Sequence, residues 1–120
     1  MPTEAVSTPM AQHHAALDKF LSVLGVLRQV DPEFPLHYAI CLAEIARDEG
    51  MSLTQLAERT NLALSTVSRI VGCLSKYRPN GRPYELISLQ MAADERRRRE
   101  LYLTPAGREL LGRITAQYSI

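Results

Sequence analysis

The sequence predicts a mainly α fold with one small β-hairpin (α+β), built as a single domain over residues 10–120. Three observations predict it. Four stretches before residue 78 carry apolar residues at helical spacing. Two short stretches that alternate apolar and polar residues follow in quick succession. A last helical stretch then opens at Thr104-Pro105.

Residues 1–9 are polar with two prolines and read as a flexible tail. From Met10 to about Val30, apolar residues recur at 17, 20, 21, 24 and 27, one face of a helix. Asp31-Pro32-Glu33-Phe34-Pro35 stops it, because proline lacks the N–H the ladder needs and disfavours helix in the residue before it. A second helix is expected over 36–48, with Ile40, Leu42, Ala43, Ile45 and Ala46 as its apolar side and Gly50 as its end. Ser52 with Gln55 three residues on forms a capping pair for a third helix that runs to about Thr60. Asn61 tolerates the left-handed turn that would end it. A fourth helix covers about 64–77, started by Ser65 or a neighbour. Tyr84–Met91 alternates Ile87, Leu89 and Met91 against Ser88 and Gln90, and Arg99–Leu103 alternates Leu101 and Leu103 against Glu100 and Tyr102. Both read as strands, with the run Arg96–Arg99 at the hairpin tip between them. The last helix, 104–118, places Leu110, Leu111 and Ile114 on one face.

Composition narrows the functional classes. The 46% hydrophobic content suits a globular chain, and no apolar run approaches the roughly 20 residues that span a bilayer. The opening MPTEAVSTPMAQHH has no basic region followed by an apolar core, so no signal peptide and a cytoplasmic location are expected. Cys41 and Cys73 lie in apolar helical patterns and read as reduced, buried thiols. His13-His14 point about 100° apart on a helix and chelate poorly together. No phosphate-binding loop, dinucleotide fingerprint or nucleophile elbow occurs. We therefore expect no metal, no cofactor and no enzyme activity. The net charge of +1 conceals an asymmetry: residues 1–60 hold four Lys/Arg against eight Asp/Glu, whereas 61–120 hold ten against five. A basic working face on a more acidic body is the simplest reading.

Two short helices across one tight turn, with a cation-rich hairpin directly after them, make a winged helix-turn-helix. The helix-turn-helix spans 52–77 and the wing 85–103. Ala57 is the small residue where the helices cross, Asn61 the turn residue, and Leu62, Val67, Ile70 and Val71 the anchors of the second helix. That leaves Ser65, Thr66, Ser68 and Arg69 on its open side, short hydrogen-bonding groups and one arginine suited to base edges and phosphates in a major groove. Arg96, Arg97 and Arg98 on the wing suit a narrow, negative minor groove. Lys76, Arg78 and Arg82, around an expected turn at Asn80-Gly81, are candidate phosphate contacts.

Residues 36–115 resemble the MarR family of winged-helix transcriptional regulators. SLTQLAERTNLALSTVSRIVGCL, the acid-x-Arg pattern Glu95-Arg96-Arg97 and LYLTPAGRELL carry the resemblance, with Glu95 standing where the family usually has aspartate. The resemblance implies a homodimeric repressor on a pseudo-palindromic site in double-stranded DNA. It implies that Arg97 enters the minor groove, that the terminal helices 10–30 and 104–118 form the dimer, and that a small aromatic molecule acts as effector. The apolar stripes 17–27 and 110–114 fit such a dimer and fit an intramolecular core equally. The rival reading is a winged-helix protein–protein interaction module without DNA binding.

Overall fold

The computed structural model describes residues 9–76, 81–92 and 95–119, with backbone alone at 95–97. After a single 3-10 turn at Met10–His13, the elements are α1 (His14–Val30), α2 (Leu36–Arg47), α3 (Leu53–Thr60), α4 (Leu64–Leu74), β1 (Ile87–Ala92), β2 (Glu95–Leu103) and α5 (Pro105–Thr115). A 3-10 turn at Ala116–Tyr118 follows. The expected order of elements is the observed one. Arg78, Asn80 and most of the N-terminal tail lie outside the described residues.

The core sits where α2, α3 and α4 meet the base of the hairpin. Leu42, Ile45, Leu56, Val67, Val71, Leu74, Ile87 and Leu101 are among its fully buried side chains. On α2 the buried face is Cys41, Leu42 and Ile45, whereas Ile40 and Ala43, expected inside, are exposed. At 100° per residue, positions 36, 40 and 43 form a second stripe turned away from the core. Cys41 and Cys73 are both free and buried, as their patterns suggested. Burial, then the nearby Glu44 carboxylate, pushes the Cys41 thiol up to about 11, so it stays protonated at neutral pH.

Local chemistry explains the helix boundaries. Ser52 Oγ accepts the Gln55 N–H at 3.1 Å and Gln55 Oε1 accepts the Ser52 N–H at 2.9 Å, which completes the capping box. Ser52→Ala should cost about 1 kcal/mol, read as a lower midpoint in urea denaturation with unchanged slope. Asn61 ends α3 in the left-handed conformation, φ 58°. The cap of α4 is Ala63, with no side-chain hydrogen bond, so Ser65 lies inside the helix and not at its start.

Two expectations fail at the hairpin. First, β1 begins at Ile87 and α4 stops at Leu74. Residues 84–86 serve the end of α4: the N–H groups of Tyr84, Glu85 and Leu86 donate to the carbonyls of Cys73, Ser75 and Leu74 at 3.3, 2.9 and 2.8 Å. Those carbonyls have no partner within the helix, so the chain that follows supplies one. Second, the arginines belong to β2, not to the tip. Met91 pairs with Arg99 and Ala92 with Glu95, so Arg96, Arg97 and Arg98 form a bulge with no residue opposite. A bulge locally adds twist.

A third strand-like segment, not foreseen in the sequence, closes the sheet. Gly50 N–H donates to Leu101 O at 2.8 Å, Leu101 N–H donates to Met51 O at 2.9 Å, and Ser52 bridges Glu100 antiparallel. The wing is thereby tied to the linker between α2 and α3.

Candidate nucleic-acid interface

On α4 the structure buries Val67, Ile70 and Val71 and leaves Ser65, Ser68 and Arg69 exposed, with Thr66 half-buried. The helix is held rigidly by its inner face, so its outer polar side chains start from a fixed frame. Facing that helix, the wing brings Arg98 and Arg99 to a groove of about 380 Å³ that Ser68 and Leu64 of α4 also line. Ser52, Leu53 and Thr54, at the start of α3, form the remaining wall. Arg98 donates to Glu100 Oε2 at 3.3 Å, and its side chain keeps 46% of its surface exposed. An exposed pair of this length is weak and leaves the guanidinium able to exchange partners.

The groove thus unites part of the candidate set. Ser68 and Arg98 line it together; Ser65, Thr66 and Arg69 lie on the same helix. Arg96 and Arg97 are placed by their backbone in the bulge, next in the chain to Arg98. Lys76 and Arg82 lie elsewhere. Lys76 follows the far end of α4 and shares a hollow at the base of the wing with Glu85, Ser88 and Thr104, and Arg82 is exposed on the linker. Arg78 is outside the described residues. Sequence reasoning missed Thr54 and Leu64 as groove residues. Leu64, 51% exposed, is the one signal that was available: an apolar residue at the opening of a helix whose buried stripe does not include it.

The family model described as the IclR helix-turn-helix domain matches residues 16–78, which span α1 to just past α4. The chain belongs to the IclR helix-turn-helix family. The wing follows this matched IclR-type segment in the chain. No curated protein matches by sequence. Among solved structures, the Staphylococcus aureus MepR–DNA complex superposes with a TM-score of 0.69 at 18% identity, over 92% of this chain and 83% of that one. A structure of MarR gives 0.62 at 18% identity, over 98% and 75%. Streptococcus pneumoniae FabT in complex with DNA gives 0.61 at 16% identity, over 91% and 73%. At these identities the likeness establishes the winged helix-turn-helix fold of this IclR-type chain.

Other features of the surface are distinct from this groove. Among the described residues no group of three or more His, Cys, Asp or Glu is placed to hold a metal ion. No described helix is long and apolar enough to cross a membrane. A second groove, of about 600 Å³, runs between α2 and α5 and is lined by Ala43, Ala46, Leu111 and Ile114, with Arg47, Glu49 and Arg108 at its edge.

Proposed function

We propose that the chain is a sequence-specific double-stranded DNA-binding transcriptional regulator of the MarR type, acting as a homodimeric repressor. The observation that carries this reading is the single groove shared by the polar face of α4 and the arginines of β2. A duplex laid along it meets short hydrogen-bonding side chains from a helix and guanidinium groups from a wing, which are complementary to base edges and to phosphates respectively. Membership in a helix-turn-helix family supports the reading, as do structures of the same fold, MepR and FabT, that were determined with DNA.

In this reading Ser65, Thr66, Ser68 and Arg69 read the major groove, Arg97 enters the adjoining minor groove, and Arg98 and Arg99 hold phosphates. The dimer uses α1. Leu17, Phe20, Leu21 and Leu24 are 39–62% exposed, and Leu24 borders Leu36 of α2, itself 72% exposed. A stripe of that size on one helix is apolar surface that a second copy would cover. Its C-terminal continuation, Val26 and Leu27, is instead intramolecular core, as is Leu110. The groove between α2 and α5 offers an apolar floor with a rim of both charge signs, Arg47, Glu49 and Arg108, for a small aromatic effector.

Fluorescence anisotropy with random-sequence duplex DNA, from about 50 to 200 mM salt, tests the reading directly. Micromolar binding that falls steeply with salt supports it. Absence of binding at the lowest salt overturns it in favour of a protein-interaction module. Ser65→Ala and Arg69→Ala should change the preferred sequence in a selection from random duplexes more than they change affinity for random DNA.

A further inference from the structure

We propose that Glu49 is the positioning residue of the wing, fixing the angle at which the arginines of β2 face the recognition helix. The proposal rests on the DNA-binding reading above. Glu49 lies in the linker between α2 and α3, where Gly50 and Met51 pair through their backbones with Leu101. Two residues further along β2, Leu103 turns its N–H to the same edge, and among the described residues no backbone carbonyl accepts it there. Glu49 Oε1 accepts that N–H at 2.9 Å. The carboxylate therefore extends the ladder by one rung, with a charge-assisted bond in place of a neutral one.

The same carboxylate is gripped from a third element. Arg108 of α5 donates to both oxygens, Nη1 to Oε2 and Nη2 to Oε1, each at 2.9 Å. Three donors on two oxygens require an ionised carboxylate; an amide would turn its own NH2 toward one of them. The Leu103 N–H first, and Arg108 after it, hold the Glu49 carboxyl below its ordinary range despite some opposing burial. One side chain thus links the α2–α3 linker, the end of β2 and the first turns of α5. These are the points about which the hairpin would otherwise rock against α4.

Global stability depends little on this pair, since the Arg108 side chain is 57% exposed and exposed pairs contribute modestly. That separates positioning from folding. The test uses the full chain as wild type, Glu49→Gln, Arg97→Ala and the double variant. The first readout is 15N order parameters of the free protein. We expect Glu49→Gln to lower those of β1 and β2 while α2–α4 stay unchanged; unchanged wing amides overturn the proposal whether or not DNA binds. The second readout is affinity for duplex DNA. Glu49→Gln should weaken binding about five- to tenfold in wild type and clearly less once Arg97 is alanine, when only the remaining wing arginines are left to be positioned, the non-additivity expected of groups that act through one another. An equal loss in both backgrounds overturns the proposal. If Arg97→Ala by itself leaves affinity unchanged, the wing reading fails separately from the order-parameter result.

Discussion

Arg97→Ala is expected to weaken binding to every duplex sequence by about tenfold or more and to lower the slope of log affinity against log salt by about 1. A guanidinium in a minor groove gains from the negative potential there, which varies with groove width and not with a hydrogen-bond code. Its loss therefore removes a nearly uniform contribution. The position of the residue sharpens the expectation. Arg97 is the middle residue of the three-residue bulge between the Met91–Arg99 and Ala92–Glu95 partners. A regular strand would commit its backbone to pairing with β1; a bulge leaves this stretch unpaired and re-aimed. Titration by anisotropy at four or more salt concentrations reads both quantities. An unchanged affinity at moderate salt would mean that the bulge does not approach DNA.

Gly107→Ala is expected to destabilise the chain by about 3 kcal/mol, with a melting temperature lowered by on the order of 10 °C. A Cβ at Gly107 would stand 2.1 Å from the Leu86 carbonyl oxygen and 3.1 Å from its carbon, both backbone atoms that cannot step aside. The same carbonyl accepts the Thr104 N–H at 3.0 Å, and Thr104 Oγ1 donates to Glu85 O at 2.7 Å while accepting the Gly107 N–H at 3.0 Å. The stretch Leu103-Thr104-Pro105-Ala106-Gly107 is thus one device. Leu103 fills the core, Thr104 caps α5, Pro105 starts it without needing a donor, and Gly107 lets the first turn press against the chain entering β1. Thermal and urea denaturation measure the loss. A melting point within about 2 °C of wild type would mean that α5 can lift away from β1 at little cost.

The capping devices were legible because each is local. Ser52 with Gln55, Asn61 at its turn, and Thr104-Pro105 are fixed by residues three or four apart, and the structure reproduces all three. The buried stripe of α4 was legible from periodicity, and with it the identity of the outward residues Ser65, Ser68 and Arg69. The arginine run was read as the hairpin tip, whereas its backbone lies within β2. Charge repulsion dictates extension, but pairing with β1 dictates where the strand begins, and pairing partners are not neighbours in sequence. The outward stripe of α2 was hidden for a related reason. A helix that meets core on one side and carries leucine and isoleucine on another gives one broadened apolar pattern, and which side is inner depends on what packs there.

By itself, the sequence determined the number, type and order of the elements, the caps of α3 and α5, and the presence of a polar helix face and a cationic hairpin in one domain. Propensity, periodicity and like-charge repulsion act over a few residues, so they are written locally. Only the tertiary structure decided that Ser68 and Arg98 share a groove, that residues 84–86 close the end of α4, and that Glu49 meets Leu103 and Arg108 across more than fifty residues of chain. Such contacts depend on how separate faces are brought together by burial of the common core. No spacing in the chain encodes a hydrogen bond between a linker carboxylate and a strand that does not yet have an edge.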